Sequence, residues 1–178
     1  MYRRSGLDQA AGHAFDHAWT RFFLEYQKDS LQVIKEMVRV VKPGGRVTLL
    51  DLDGNCVWHY PLSAELKREL DEVMNDLATT GFDAYIGTKL HSYASAAGLT
   101  NVLQAIEPYH HIVGKPDEEV ADQWRRKING MKANYTVKLF PEKSHLGRFF
   151  DDMLAFILSE ETMTWSNLYM VQGVKAAG

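Results

Sequence analysis

Between Leu31 and Asp51 the hydrophobic pattern changes period once, at Lys42-Pro43-Gly44-Gly45. Before the break, Leu31, Ile34, Val38 and Val41 recur at three- and four-residue intervals, the spacing of one helical face. After it, Arg46-Val47-Thr48-Leu49-Leu50-Asp51 is a short apolar run of strand type. Proline cannot continue a helix, and glycine accepts the left-handed backbone of a helix C-cap. A helix that runs straight into an apolar strand is half of a strand–helix–strand unit, and such units build mainly parallel sheets covered by helices.

The rest of the chain repeats this alternation. Residues 1–13 are polar and small, and are expected to form a loose arm. Ala14 to Leu24 (AFDHAWTRFFL) reads as a buried strand followed by a turn. Asp29 can cap the following helix, with Gln32 in capping-box spacing. Residues 53–62, with Gly54, Asn55 and Pro61, read as a loop, and Ser63 can cap a helix whose face is Leu66, Leu70, Val73, Met74 and Leu77. A further helix is expected from Thr88 to Gly98, a strand from Val102 to Ile106, and a loop over Pro108–Pro116. Asp117 can cap a helix with Val120, Trp124, Ile128 and Met131 on one face. Another helix is expected over Ser144–Leu158, and a last strand over Trp165–Val174. Residues 107–162 then lie between two strands, either as a cap over the sheet or as helices on one sheet face.

Composition excludes several classes of function. The 178 residues suit one domain, and 46% hydrophobic with 24% charged residues is ordinary for a globular protein. A net charge of −3 argues against a nucleic-acid surface. Arg3 and Arg4, and the Arg125-Arg126-Lys127 run, read as solvated charge. The single cysteine, Cys56, excludes an internal disulfide and a thiolate zinc cluster. No run approaches the ~20 apolar residues of a membrane span, so no membrane partner is expected and the expected location is the cytoplasm.

Taken in order, several segments resemble the class I S-adenosylmethionine-dependent methyltransferases that act on small molecules. Phe15-Asp16 and the residues to Tyr26 are similar to that family's fourth strand and the turn after it. Ile34 to Val47, with its Lys-Pro-Gly-Gly turn, is similar to the next helix and the start of the fifth strand, which Asp51-Leu52-Asp53 closes. Ile86 to Leu90, Ala97-Gly98-Leu99 and Val102 are similar to the helix and sixth strand, and Val171 to Lys175 to the last strand. The resemblance implies a partial doubly wound, Rossmann-like α/β sheet. About four strands are expected, mostly parallel with one antiparallel, flanked by about five helices. It covers a half-domain over residues 14–178 and implies S-adenosylmethionine as cofactor.

The family holds that cofactor with a glycine-rich turn after its first strand and an acidic residue ending its second. The resemblance begins at the fourth strand, so both are expected to be missing, and binding by this chain alone is doubtful. Gly6 and Gly12 follow no strand and do not read as that turn.

Ligands of open α/β sheets sit beyond the carboxyl ends of the strands. Trp19, Thr20 and Arg21 follow the first strand and are candidates for the methionine end of the cofactor; the alternative is a core tryptophan and a surface charge. Asp51, Asp53 and Tyr60 are candidates to face a substrate, and His59 is the candidate base, set against a merely solvated loop histidine. His110-His111 are adjacent, so their rings diverge, and no metal site is expected. Two functions stay open: a small-molecule methyltransferase, incomplete in this chain, or a non-catalytic binding or dimerisation module. A different nucleotide-binding enzyme lacks a phosphate loop. The Ala14–Thr20 strand is expected at a sheet edge, paired with a second copy, covered by the 13-residue arm, or next to a missing N-terminal half.

Overall fold

Asp29 begins the first helix as its spacing predicts: the carboxylate accepts the Gln32 N–H at 2.9 Å. Helix α1 covers Ser30–Val40 and buries Ile34, Met37 and Val40, so Met37 joins the expected apolar face. In the computed structural model, residues 12–177 are described. The expected arm lies outside the described residues as far as residue 11, together with Arg3, Arg4 and Gly6.

Among the described residues the strands are β1 (Phe15–Arg21), β2 (Val41–Tyr60), β3 (Leu99–Val113) and β4 (Met163–Lys175), in spatial order β1-β2-β4-β3. β1 and β2 are parallel, with Ala18 beside Val47 and Arg21 beside Leu50. β4 runs against β3: Thr100 reaches the Val174 carbonyl, and Ser166 reaches the Tyr109 carbonyl. The sheet is mostly parallel with one antiparallel stretch, as expected. The helices are α1, α2 (Ala64–Thr79), α3 (Ile86–Ala96), α4 (Glu118–Ala133) and α5 (Gly147–Ile157). No helix of the described residues is long and apolar enough to cross a membrane.

Three expected boundaries move. The Lys42–Gly45 turn ends α1 but does not precede the strand; it bulges within β2, between the pairs Phe15–Val41 and His17–Arg46. Gly44 has φ +79°, and a Cβ on Gly45 would sit 2.5 Å from Val41 Cγ1 and 2.8 Å from the Asp16 carbonyl oxygen. The expected loop over 53–62 is strand as far as Tyr60. Its turn residues make a second irregularity, with Gly54 at φ +72° and Cys56 at +59°. The expected loop from Pro108 is strand as far as Val113; β3 is a sheet edge, where proline's missing N–H is tolerated. The Thr88–Gly98 helix starts two residues earlier. The Ser144–Leu158 helix starts at Gly147, after a 3-10 turn over Pro141–Leu146.

The chain divides into two units. The first holds residues up to Asn55, Ala78–Tyr109 and Ser166 onward. In it, α1 and α3 pack with Val47, Leu49, Leu99 and Val171 around Leu24, Ile34 and Leu90. The second holds Cys56–Leu77 and His110–Trp165, so it includes most of α2 as well as most of the expected 107–162 cap. Its core is aromatic, with Trp124, Tyr135, Phe149 and Phe150 among Leu70, Val73, Met153 and Ile157. Asp117 caps α4 by accepting the Val120 N–H at 2.9 Å. Lys143 bridges Glu72 (3.0 Å) and Asp76 (2.6 Å), and Asp76 also takes the Tyr135 hydroxyl.

Candidate functional site

The carboxyl ends of β1 and of the first part of β2 gather the buried polar residues of the first unit: Thr20, Glu25, Asp51, Asp53 and Asn55. Asp51 is fully buried. Its Oδ2 accepts the backbone N–H groups of Leu24 (2.8 Å), Phe23 (3.2 Å) and Glu25 (3.3 Å), and its Oδ1 that of Leu52 (3.0 Å). Burial pushes its carboxyl above the ordinary range, and those four N–H bonds oppose the shift. The carboxylate therefore anchors the short 3-10 turn Leu24–Tyr26 that follows β1. It positions that turn rather than facing a substrate.

Glu25 and Asn55 are the members of this group that sequence reasoning missed. Glu25 is buried, and its Oε2 accepts the Asn55 amide N–H at 2.8 Å. The available signal was one carboxylate inside the aromatic run Phe22-Phe23-Leu24-Glu25-Tyr26. Asp53 is buried near Tyr169, whose phenol is pushed up by burial and by the Asp53 charge. α3 comes close here: a Cβ on Gly87 would lie 2.9 Å from the Asp53 backbone nitrogen.

The expected cofactor residues have different environments. Thr20 is buried, Arg21 lies over the Phe22 ring at 4.5 Å, and Trp19 is 64% exposed. Trp19 is not a core residue, and β1, read as a buried strand, shows solvent most of its side chains. Beside it runs a groove of about 320 Å³. Its lining includes Phe15, Trp19 and Phe23 from the β1 region and Val33, Met37 and Val40 from α1.

His59 and Tyr60 belong to the second unit, while Trp19, Thr20, Arg21, Asp51 and Asp53 belong to the first. His59 is not a solvated loop residue. Its Nδ1 is 2.9 Å from the Thr164 hydroxyl, its Nε2 is 3.3 Å from the Cys56 carbonyl, and its ring meets Phe156 edge-on. Nε2–H donating to the carbonyl leaves Nδ1 to accept from Thr164. Burial lowers its pKa to about 4, so the ring is neutral at physiological pH with both nitrogens engaged. It borders a small apolar cavity of about 20 Å³, roughly the space of one water. Tyr60 is 69% exposed. His110 packs on Trp124 near Lys127, and burial, aided by the lysine charge, lowers it to about 3. Among the described residues no group of three His, Cys, Asp or Glu side chains is placed to hold a metal.

Comparison with known proteins adds the following. Residues 5–49 match the family model described as a methyltransferase domain. A methyltransferase candidate from Bacillus halodurans C-125 superimposes with a TM-score of 0.52 at 12% identity, over 93% of this chain and 72% of that one. Residues 5–49 thus resemble that family, and the chain has the fold of the class I methyltransferases.

The cyclase SpnF shares the fold at a TM-score of 0.50 and 16% identity, over 94% of this chain and 52% of its own. A phosphoethanolamine N-methyltransferase from Haemonchus contortus, solved with S-adenosyl-L-methionine, has a TM-score of 0.48 at 17% identity. That match covers 94% of this chain and 34% of the other, so the chain spans about a third to a half of the length of these two structures. The search of curated proteins returned no match. A family fold that includes a protein named as a cyclase does not by itself specify methyl transfer.

The methyltransferase family implies S-adenosylmethionine, and the described residues do not by themselves fit it. Asp51 bonds to backbone and Glu25 to Asn55, and no buried side-chain nitrogen or oxygen among the described residues lacks a partner. On the open side of β1 no described strand supplies a glycine turn or a ribose-binding carboxylate.

Proposed function

We propose that this chain is the C-terminal half of an S-adenosylmethionine-dependent methyltransferase domain that acts on a small molecule. In this reading the grip on the cofactor comes from residues that pair along the open edge of β1. One observation carries it: parallel β1 and β2, reversed β4 and outer β3 resemble one side of the methyltransferase sheet, and among the described residues the order stops at β1. Thr20 and Arg21, at the carboxyl end of β1, would then border the cofactor, with Trp19 beside them. Asp51 and Glu25 would hold the turn that shapes this wall. Asp53 in the first unit and, separately, Tyr60 in the second stay candidates for contact with a substrate. His59, neutral and bonded at both nitrogens, serves as a base only if its bond to Thr164 opens. The same reading places the protein in the cytoplasm.

Titration with S-adenosylhomocysteine, read by calorimetry and by NMR, tests this. The expected result is no sub-millimolar binding by the chain alone, with millimolar ligand shifting the resonances of Thr20 and Arg21. Sub-millimolar binding would overturn the half-domain reading. No shift at any residue would overturn the methyltransferase reading.

A second reading, a non-catalytic binding or dimerisation module, is favoured by the exposed aromatic edge at Phe15 and Trp19. Its signature is stable association with no response to S-adenosylhomocysteine.

A further inference from the structure

The core of the second unit encloses an unfilled apolar chamber, and we propose that it binds the ring or branched alkyl end of a small uncharged molecule, entered past Met74 of α2 and Met131 of α4. Every side chain lining the chamber belongs to the second unit, so the site is complete within it. β2 supplies Cys56 and His59, and α2, α4 and α5 supply the rest. The inner wall is sealed, because Val73, Trp124, Ile128, Phe149 and Met153 are buried. Met74 and Met131 are half-buried, so they stand between the chamber and solvent.

The void of about 20 Å³ has the room for one water but not the partners for it. Its one ring with polar nitrogens, His59, already bonds through both, to the Thr164 hydroxyl and the Cys56 carbonyl. No Asp, Glu, Lys or Arg lines it. A charged ligand would lose its hydration there and meet no counter-ion, whereas hydrocarbon gains by leaving water. Native cores leave few such voids. Three of the chain's seven methionines surround this one: Met74, Met131 and Met153. Methionine is unbranched and polarisable, so it swings aside and re-forms contacts around an entering group. The chamber therefore enlarges for a ring at little cost, and Trp124 and Phe149 give that ring aromatic neighbours. This site does not rest on the methyltransferase reading, and the response of Thr20 and Arg21 to S-adenosylhomocysteine is scored separately from it.

Toluene is the probe, read by NMR of the methionine methyl groups in the full chain. The methyls of Met74, Met131 and Met153 should shift saturably at toluene concentrations near about 1 mM, with that of Met170 in the first unit unmoved. Benzoate and benzylammonium carry the same ring with a charge, and each should bind at least about tenfold more weakly. Val73→Ile adds one methyl group to the chamber wall. It should weaken toluene binding at least about fivefold, with the thermal midpoint unchanged or raised, because it fills a void. Absence of a saturable shift at the three methyls overturns the proposal. So does equal binding of either charged ring by the wild type, which needs no variant, or toluene binding that Val73→Ile leaves unchanged.

Discussion

Among the described residues the sheet ends in two edges that are built differently. β3, at one edge, carries Pro108 and Glu107, and has Asn101 and His110 at φ +49° and +51°. Each of these features interrupts a regular hydrogen-bonding edge, which is how a permanent edge avoids pairing with other chains. β1, at the other edge, is short, lies opposite the bulge in β2, and displays Phe15 and Trp19. One edge is finished and the other is built like an interior strand. The difference is visible only once the strand order is known, and it points to a partner for β1.

The largest expected effect concerns two sequestered histidines, one near the end of β3 and one near the end of β2. His110 and His59 are held neutral, with pKa values of about 3 and about 4 against an ordinary 6.5. The unfolded chain binds protons at these sites that the folded chain refuses. Stability is therefore full above pH 6.5 and falls as pH drops toward 4. For His59 alone the loss approaches about 3 kcal/mol. Urea denaturation across that range should show the decline, and His59→Gln should flatten part of it. A flat profile in the wild type would mean that neither ring is sequestered.

Next comes the anchor at the end of β1. Asp51→Ala leaves four backbone N–H groups, three of them in buried bonds, without their acceptor and should cost about 3 kcal/mol. A cost below about 1 kcal/mol in denaturant midpoints would show that water replaces the carboxylate easily. Lys175 has a smaller role. Its ammonium donates to the carbonyls of Val38 (2.7 Å), Val41 (2.8 Å) and Arg39 (3.2 Å) at the C-terminus of α1. Lys175→Met should lower stability by about 1 kcal/mol, an effect that shrinks if the exposed carbonyls are already hydrated.

The smallest effect on stability tests the comparison most directly. Trp19→Glu on β1 and Leu103→Glu on β3 replace side chains 64% and 71% exposed, so each should change stability by under about 0.5 kcal/mol. On the second reading of function, only the β1 substitution should change self-association in sedimentation. Equal responses from both would remove the distinction between the edges.

Much of the candidate site could not be read from the chain because its chemistry depends on burial. Asp51 and Asp53 are legible as carboxylates closing a strand. That Asp51 is consumed by four backbone N–H groups follows from the turn after β1 folding back onto β2. Glu25 and Asn55, thirty positions apart, became partners for the same reason. His59 read as a loop histidine because Gly54-Asn55 looks like a turn; the structure carries strand through those residues, with Gly54 at positive φ, as far as Tyr60.

The sequence by itself determined the local elements and their order. Asp29 and Asp117 cap helices, Lys42–Gly45 breaks one, and the alternation of periods dictates a mainly parallel sheet, because these are short-range properties of backbone and side chain. Tertiary structure alone decided which strands became edges, which polar groups were sequestered and which aromatics stayed in water. Those outcomes depend on the neighbours that each strand acquires. β1 has the composition of a buried strand, and only its position in the sheet left it exposed.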